Sequence, residues 1–306
     1  MRMRQIGKSD LIVSEIGLGC MSLGINEKLA IEIIDRAIGS GINYLDTADL
    51  YDFGVNEELV GKAIKNRRSD IILATKVGNR WNDGEDGWSW DPSKKHIIAA
   101  VKDSLQRLQT DYIDLYQLHG GTIEDNIDET IEAFEELKSE GLIRYYGISS
   151  IRPNVIREYV KHSSIVSVMM QYSILDRRPE EVFPLLKEHN ISVLCRGPVA
   201  KGLLTEKPLE QTSTKMKKNG YLTYSFEEIA KVVESIKAEV APNRPLTEVA
   251  LQYCLDDSVV ASVVAGASEA EQLMENIRAA TSGALTEGEM KMIREVSKAS
   301  VYEDHR

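Results

Sequence analysis

Asp46, Tyr51, Lys76 and His119 are the residues of this chain whose types and places best suit chemistry. The apolar run Tyr44-Leu45 stops at the carboxylate of Asp46, and a phenol follows at Tyr51. Asn56-Glu57-Glu58-Leu59-Val60-Gly61 then opens a helix. Lys76 closes the apolar run Ile71-Ile72-Leu73-Ala74-Thr75, and His119 closes Tyr112–Leu118 just before Gly120-Gly121. A lysine ending a buried strand is costly unless its charge is paired, and Asp46 is the carboxylate at hand. Singly, each has an ordinary structural role: Asp46 capping a turn, Tyr51 packing on a rim, Lys76 snorkelling, His119 bonding backbone carbonyls. Together, four titratable groups at the ends of strands mark a candidate active site.

The elements that must position them follow from the spacing of apolar residues. Arg4-Gln5-Ile6 and Val13-Ser14-Glu15-Ile16, joined through Gly7-Lys8-Ser9-Asp10, read as a hairpin. Eight apolar strands follow, near Ile16–Cys20, Ile42–Leu45, Ile71–Thr75, Tyr112–Leu118, Ile143–Ile148, Ile165–Met170, Ile191–Leu194 and Val259–Val264. Segments of helical period separate them, beginning with Leu29–Ile38, where Leu29, Ile33 and Ala37 recur at helical spacing and Gly39 and Gly41 mark the stop. A long polar stretch spans Thr205–Tyr224, and extra helices are expected near Phe226–Glu239 and Glu287–Lys298. Strands that are apolar throughout and alternate with helices form a parallel sheet covered by helices. Eight such units predict one closed (β/α)8, or TIM, barrel over residues 1–306, with an N-terminal β-hairpin and additional C-terminal helices. An open dinucleotide-binding sheet fits less well, since Gly17-Leu18-Gly19 lacks a third glycine opening a helix. In a barrel all strands deliver their last residues to one rim, so the four groups converge.

Composition bounds the partners. A formal net charge of −11 over 306 residues leaves no basic footprint for nucleic acid. Cys20, Cys195 and Cys254 are odd in number and far apart, with no CxxC, which argues against a disulfide framework or a metal site. Met1-Arg2-Met3-Arg4-Gln5 leads into no apolar signal core, and no apolar run reaches membrane length. A cytoplasmic protein without a membrane partner is expected; the sequence does not fix its oligomeric state.

The chain resembles the aldo-keto reductases along nearly its whole length. The resemblance rests on Asp-x4-Tyr after the second strand, Lys after the third and His after the fourth, and on Gly17-Leu18-Gly19, Ala74-Thr75-Lys76 and Asp114-Leu115-Tyr116-Gln117-Leu118-His119. Gly147-Ile148-Ser149, Gly202-Leu203-Leu204-Thr205 and Gly266-Ala267-Ser268 with Glu275-Asn276 extend it. It implies NADPH-dependent reduction of small carbonyl substrates, with NADH a possible alternative, and it gives the four groups roles. A phenol of pKa about 10 is a weak acid, so Lys76 would stabilise the tyrosinate as Tyr51 gives its proton to the substrate oxygen. Asp46 would keep Lys76 charged and oriented, and His119 would bond the same oxygen.

The resemblance also implies a cofactor groove formed by Gly19, Cys20, Met21, Asp46, Ser149, Ser150, Gln171, Arg196, Gly197, Pro198, Val199, Ala200, Lys201, Gly202, Gly266, Ala267, Ser268, Gln272, Glu275 and Asn276. Here the chain departs from its relatives. Ser150 stands where Asn is commoner. Met169 holds the place of a usual carboxamide-binding Gln, which Gln171 would replace from the same side of the strand. Arg196 occupies the place of an aromatic residue stacked under the nicotinamide. Ser268-Glu269-Ala270-Glu271 reads as a capping box opening a helix whose free N–H groups suit a phosphate.

Trp81, Trp88 and Trp90 fall in Asn79–Pro92, directly after Lys76, and would wall the substrate pocket. The stretch Thr205–Tyr224, with Lys207, Lys215, Lys217 and Lys218, reads as a lid that orders over the cofactor. Two other functions use the same residues: a barrel aldolase with Lys76 as Schiff-base amine, and a non-enzymatic subunit that senses cofactor.

Overall fold

A computed structural model describes residues 1–81, 87–242 and 244–306. The part of the tryptophan loop at 82–86 therefore lies outside the described residues. The eight expected strands are present as β1 (Ile16–Gly19), β2 (Tyr44–Asp46), β3 (Ile72–Val77), β4 (Ile113–Leu118), β5 (Ile143–Ser149), β6 (Ser167–Gln171), β7 (Ser192–Arg196) and β8 (Val260–Gly266). They pair in parallel in the order of the chain and close into a barrel, Val263–Gly266 of β8 pairing with Ile16–Gly19 of β1. The hairpin, Met3–Gln5 against Ile12–Ser14, lies at the opposite end from the strands' carboxyl ends and contributes Ile6, Leu11 and Val13 to the barrel's inner cluster.

Two apolar layers divide the strands by parity. Leu45, Leu73, Val77, Tyr116 and Leu118 belong to the large core shared with the surrounding helices. Tyr44, Ala74, Leu115, Met169, Leu194 and Val264 form the inner cluster. Side chains alternate between the two faces of a strand. Asp46, Lys76, Gln117, Gln171 and Arg196 share the parity of the inner cluster, two residues beyond Tyr44, Ala74, Leu115, Met169 and Leu194. The barrel interior is thus apolar through its middle and turns polar where the strands end.

Strand β3 extends one residue beyond Lys76 because Val77 still pairs with Leu118, so the lysine lies within the strand rather than after it. The helical segment between β6 and β7 is split into a 3-10 turn, Arg178–Glu181, and a short helix, Phe183–Glu188. Pro184, without an N–H, suits only the first turn of a new helix. The stretch Thr205–Tyr224 carries its own helix, Thr214–Asn219, whose first turn is capped by Ser213. Phe226–Glu239, Ala270–Thr281 and Glu287–Val296 follow as helices close to the expected limits.

Helix α1 (Glu27–Gly39) is followed by α2 (Val55–Ile64) and α3 (Lys94–Leu108), which cross closely at Gly61. A Cβ there would lie 2.6 Å from the Leu108 backbone and 2.7 Å from the Arg107 carbonyl oxygen. Gly61→Ala is expected to lower stability by about 1–3 kcal/mol through overpacking, read as a lower midpoint in chemical denaturation at an unchanged slope.

Candidate active site

Asp46 and Lys76 meet inside the rim as a buried ion pair, 3 % and 1 % exposed. The Lys76 ammonium donates to Asp46 Oδ1 at 2.5 Å, to the Thr47 carbonyl at 2.8 Å and to the Tyr51 hydroxyl at 3.1 Å. These three bonds use all of its donors. Burial alone would lower the lysine's pKa, but Asp46 and Tyr51 outweigh it and the net direction is upward, so the amine is charged at neutral pH. The other Asp46 oxygen accepts from Gln117 Nε2 at 3.1 Å and from the Tyr44 hydroxyl at 3.4 Å. Gln117 and Tyr44 were not expected as site residues, although strand parity would have revealed both.

The half-buried Tyr51 opens a short turn after β2, its ring edge-on to His119 with centroids 5.8 Å apart. The turn is unusual: Asp52 and Phe53 have φ of 49° and 50°, and Gly54 follows at 88°. The His119 backbone N–H donates to the Val77 carbonyl at 2.7 Å, and the buried ring Nδ1 has no partner among the described residues. Burial, with Lys76 and Arg196 nearby, pushes its pKa down to about 3, so the ring is neutral through the physiological range.

These groups lie at one end of a cleft of about 1630 Å³ across the carboxyl rim. Of the groove residues expected from sequence, Gly19, Met21, Asp46, Ser149, Ser150, Gln171, Arg196–Val199, Lys201, Gly202, Gly266, Ser268, Gln272, Glu275 and Asn276 line it. Cys20, Ala200 and Ala267 do not; their side chains are fully buried. Gln171 reaches the cleft but is fully engaged, donating to Asp176 at 2.9 Å and to the Tyr221 hydroxyl at 3.0 Å, and accepting from Arg196 at 3.1 Å. That bond is the polar contact of the exposed Arg196 guanidinium, and no carboxylate lies within 4.0 Å of it among the described residues.

The expected capping box at Ser268–Glu271 is not formed. Glu269, not Ser268, is the N-cap of the helix Ala270–Thr281, and it makes no side-chain cap. Ser268, one residue too early, turns its N–H and hydroxyl to Gln272 Oε1 at 3.0 and 3.3 Å. The first-turn N–H groups are consequently left without a side-chain cap, among residues that line the cleft.

The three tryptophans separate. Trp88 and Trp90 line the cleft, Trp90 donating to Asp125 and resting over Gly78 and Gly120. Trp81 is absent from the lining and packs instead against Phe53 and Arg107. Of the polar stretch, Thr205, Glu206, Lys207, Pro208, Tyr221 and Thr223 line the cleft, whereas Lys215, Lys217 and Lys218 do not. Arg152, Arg178 and the segment Val301–His305 also line it, and nothing in the spacing of apolar residues had marked them. Removing one partner of a buried ion pair leaves the other charge uncompensated. Asp46→Ala is therefore expected to cost about 3–5 kcal/mol of stability, and Asp46→Leu combined with Lys76→Met to recover much of it, both measured by equilibrium denaturation.

The sequence pattern of the Aldo/keto reductase family matches residues 15–298. The chain is 67% identical to "Uncharacterized oxidoreductase YqkF" of Bacillus subtilis (strain 168), over the full length of both. It is 31% identical to the "NADH-specific methylglyoxal reductase" of Escherichia coli (strain K12), covering 96% of this chain and 98% of that one. Among solved structures it superposes on the holo form of aldo-keto reductase AKR11C1 from Bacillus halodurans with a TM-score of 0.95 and 62% identity, covering 100% and 99% of the two chains. The apo form of that same protein superposes less closely, at 0.87. A closed eight-stranded barrel, a family pattern spanning most of the sequence and full-length kinship with an oxidoreductase place this chain in the aldo/keto reductase family of oxidoreductases.

Proposed function

We propose that this protein reduces aldehydes or ketones to alcohols with a nicotinamide dinucleotide, Tyr51 giving the proton. The observation that carries the reading is the saturated Lys76 ammonium. Because Lys76 donates to the Tyr51 oxygen, the phenolic proton is directed away from it, toward the cleft. A fixed positive charge beside the phenol favours the tyrosinate left after proton transfer. The neutral His119 ring contributes a hydrogen bond without a competing charge. Asp46 acts through Lys76 and needs no contact with substrate. The same saturation works against a Schiff-base role, which needs a neutral, free amine.

The groove suits a dinucleotide. Gly197 and Gly202 have φ of 67° and 89°, and between them Ala200 and Lys201 also adopt left-handed backbone, a tight turn on the cleft wall in which the N–H groups of Ala200 and Gly202 are bonded to the Gly197 and Val199 carbonyls. A Cβ at Gly266 would meet Ser22 Oγ at 2.4 Å and Cβ at 3.2 Å, so any larger residue there would displace the Ser22 side chain at the groove wall. The uncapped helix start at Ala270 offers N–H groups for phosphate. Ser149, Ser150, Gly197–Gly202, Gly266, Ser268 and Asn276 would hold such a cofactor, which when bound supplies the hydride for the carbonyl carbon. Resemblance favours NADPH. Glu269, Glu271 and Glu275 at the helix end of the cleft work against a further phosphate, and the related enzyme from E. coli is NADH-specific. Trp88 and Trp90 form part of the substrate wall.

A panel of aldehydes and ketones with NADPH and with NADH, followed by cofactor oxidation, tests the reaction. Tyr51→Phe is expected to lower kcat by about 100-fold or more while the Kd for cofactor stays the same. Near-parental turnover in that variant would overturn the assignment. Arg196 stands where relatives place an aromatic ring under the nicotinamide, and a guanidinium there repels the positive ring of the oxidised form. Arg196→Tyr is therefore expected to reduce the preference for reduced over oxidised cofactor; equal affinity ratios in the two proteins, measured by titration, would remove this role.

A further inference from the structure

The turn that carries Tyr51 is held from beneath by a buried group of charges that the proposed reaction does not use. Asp52 and Phe53 are non-glycine residues in the left-handed region, a conformation that persists only where the surroundings enforce it. Beneath them the stem of Arg107, from α3, fills the space a side chain at Gly54 would need; a Cβ there would lie 2.7 Å from Arg107 Cδ. The guanidinium donates to Glu57 Oε2 at 2.7 Å and lies 5.9 Å from the Trp81 ring centroid. Phe53 packs edge-on against that same ring at 5.6 Å. Phe53 thus rests on Trp81 and Gly54 on Arg107, which themselves lie against each other.

Glu57 connects this support to the amine. Wholly buried in the first turn of α2, it accepts the Thr75 hydroxyl at 2.6 Å with its other oxygen, and Thr75 precedes Lys76. Its neighbour Asn56 accepts the Thr47 hydroxyl at 2.7 Å, and Thr47 supplies the carbonyl that binds the Lys76 ammonium. A second carboxyl lies alongside: Asp49 is 3 % exposed, donates its N–H to the Lys76 carbonyl at 3.4 Å, and has an unpartnered Oδ1. We propose that Arg107 and Glu57, with the buried Asp49 carboxyl beside them, are positioning residues that hold the left-handed turn and so present the Tyr51 hydroxyl to Lys76, Asp49 setting how far into alkali that hold persists. The inference rests on the reading of Tyr51 as proton donor.

The group has two carboxyls and one guanidinium, since Lys76 is already committed to Asp46. The charged and titratable groups facing Asp49 are Glu57 from α2, Arg107 from α3, Lys76 from β3 and Tyr116 from β4. Burial first, then Glu57, push the Asp49 carboxyl up to about 8 against the opposing pull of Arg107 and Lys76. At neutral pH it is uncharged and tolerated beside Glu57. Above about pH 8 a second negative charge arises in the same buried space, and the turn loosens. The sign for stability follows: the unfolded chain releases this proton near the usual aspartate value while the folded chain keeps it, so Asp49 erodes stability progressively as pH climbs toward about 8, with no further loss beyond.

Three variants test the inference: Arg107→Met, Arg107→Lys and Asp49→Asn. Arg107→Met is expected to lower kcat at least tenfold with cofactor Kd within twofold of the parent, and Arg107→Lys to restore part of the loss. Asp49→Asn is expected to shift the alkaline fall of kcat upward by one pH unit or more. It is also expected to melt higher than the parent, by a margin that widens as pH rises from 4 toward 8. Parental kcat in a natively melting Arg107→Met would overturn the positioning role, as would an unmoved alkaline limb together with a pH-independent melting margin for Asp49→Asn. If the parent turns over no carbonyl at all, the reading of Tyr51 fails, and the melting margin still decides whether Asp49 is held protonated by this group.

Discussion

The buried pair of Asp46 and Lys76 is the constraint on which the rest of the site depends. A lysine ammonium with 1 % exposure is tolerated only because a carboxylate, a carbonyl and a phenol take up its three donors in fixed directions. Each partner sits on a different piece of backbone, so strand β2, the residue after it and the turn beyond must all keep their places relative to β3. Gln117 and Tyr44 extend the same demand to the other Asp46 oxygen. What looks like separate functional groups is one electrostatic object, and its tolerance for displacement is small because Asp46 and Lys76 at its centre are both desolvated.

That object was legible in the sequence because β-strand geometry makes it so. A residue two positions beyond a buried inner side chain points into the barrel, and this alone brings Asp46, Lys76 and Arg196 together, along with the overlooked Gln117. The eight strands were equally plain, since runs apolar on both faces have few alternatives. The parts that escaped notice depend on side chains competing for partners. Ser268 reads as a cap by type and spacing, yet Gln272 one turn on takes its N–H and hydroxyl. Gln171 lies on the right face, but Asp176, Tyr221 and Arg196 occupy its amide. Trp81 follows the right strand and then serves Arg107 from beneath instead of facing the cleft. Sequence spacing specifies direction along an element; it does not specify which of several acceptors a side chain finds.

The cleft itself is composite in the same way. One end is made of strand termini whose side chains are fixed by the barrel's alternation, and the other of glycines and a helix start whose backbone is left open. The first kind of surface suits a reaction that needs charges held within tenths of an ångström. The second suits a ligand recognised along its length through peptide N–H groups. The walls, Arg196 and Val301–His305 among them, make no contact on which the ion pair at the centre depends.

The closure of the barrel carries a consequence for how the protein comes into being on the ribosome. Asp46, Tyr51, Lys76 and His119 lie within β2 to β4 and the loops that leave them, neighbours both in the chain and in the barrel. Gly19 and Gly266, by contrast, meet only where β1 pairs with β8 across nearly the whole sequence. A growing chain thus emits the ion pair and its partners long before it emits the last wall of the groove. Contacts so distant in sequence form late, and until they form β1 and β8 present open edges to other chains. The seam between the first and last strands is accordingly where the finished groove and the protection of the nascent barrel from aggregation are achieved in a single step.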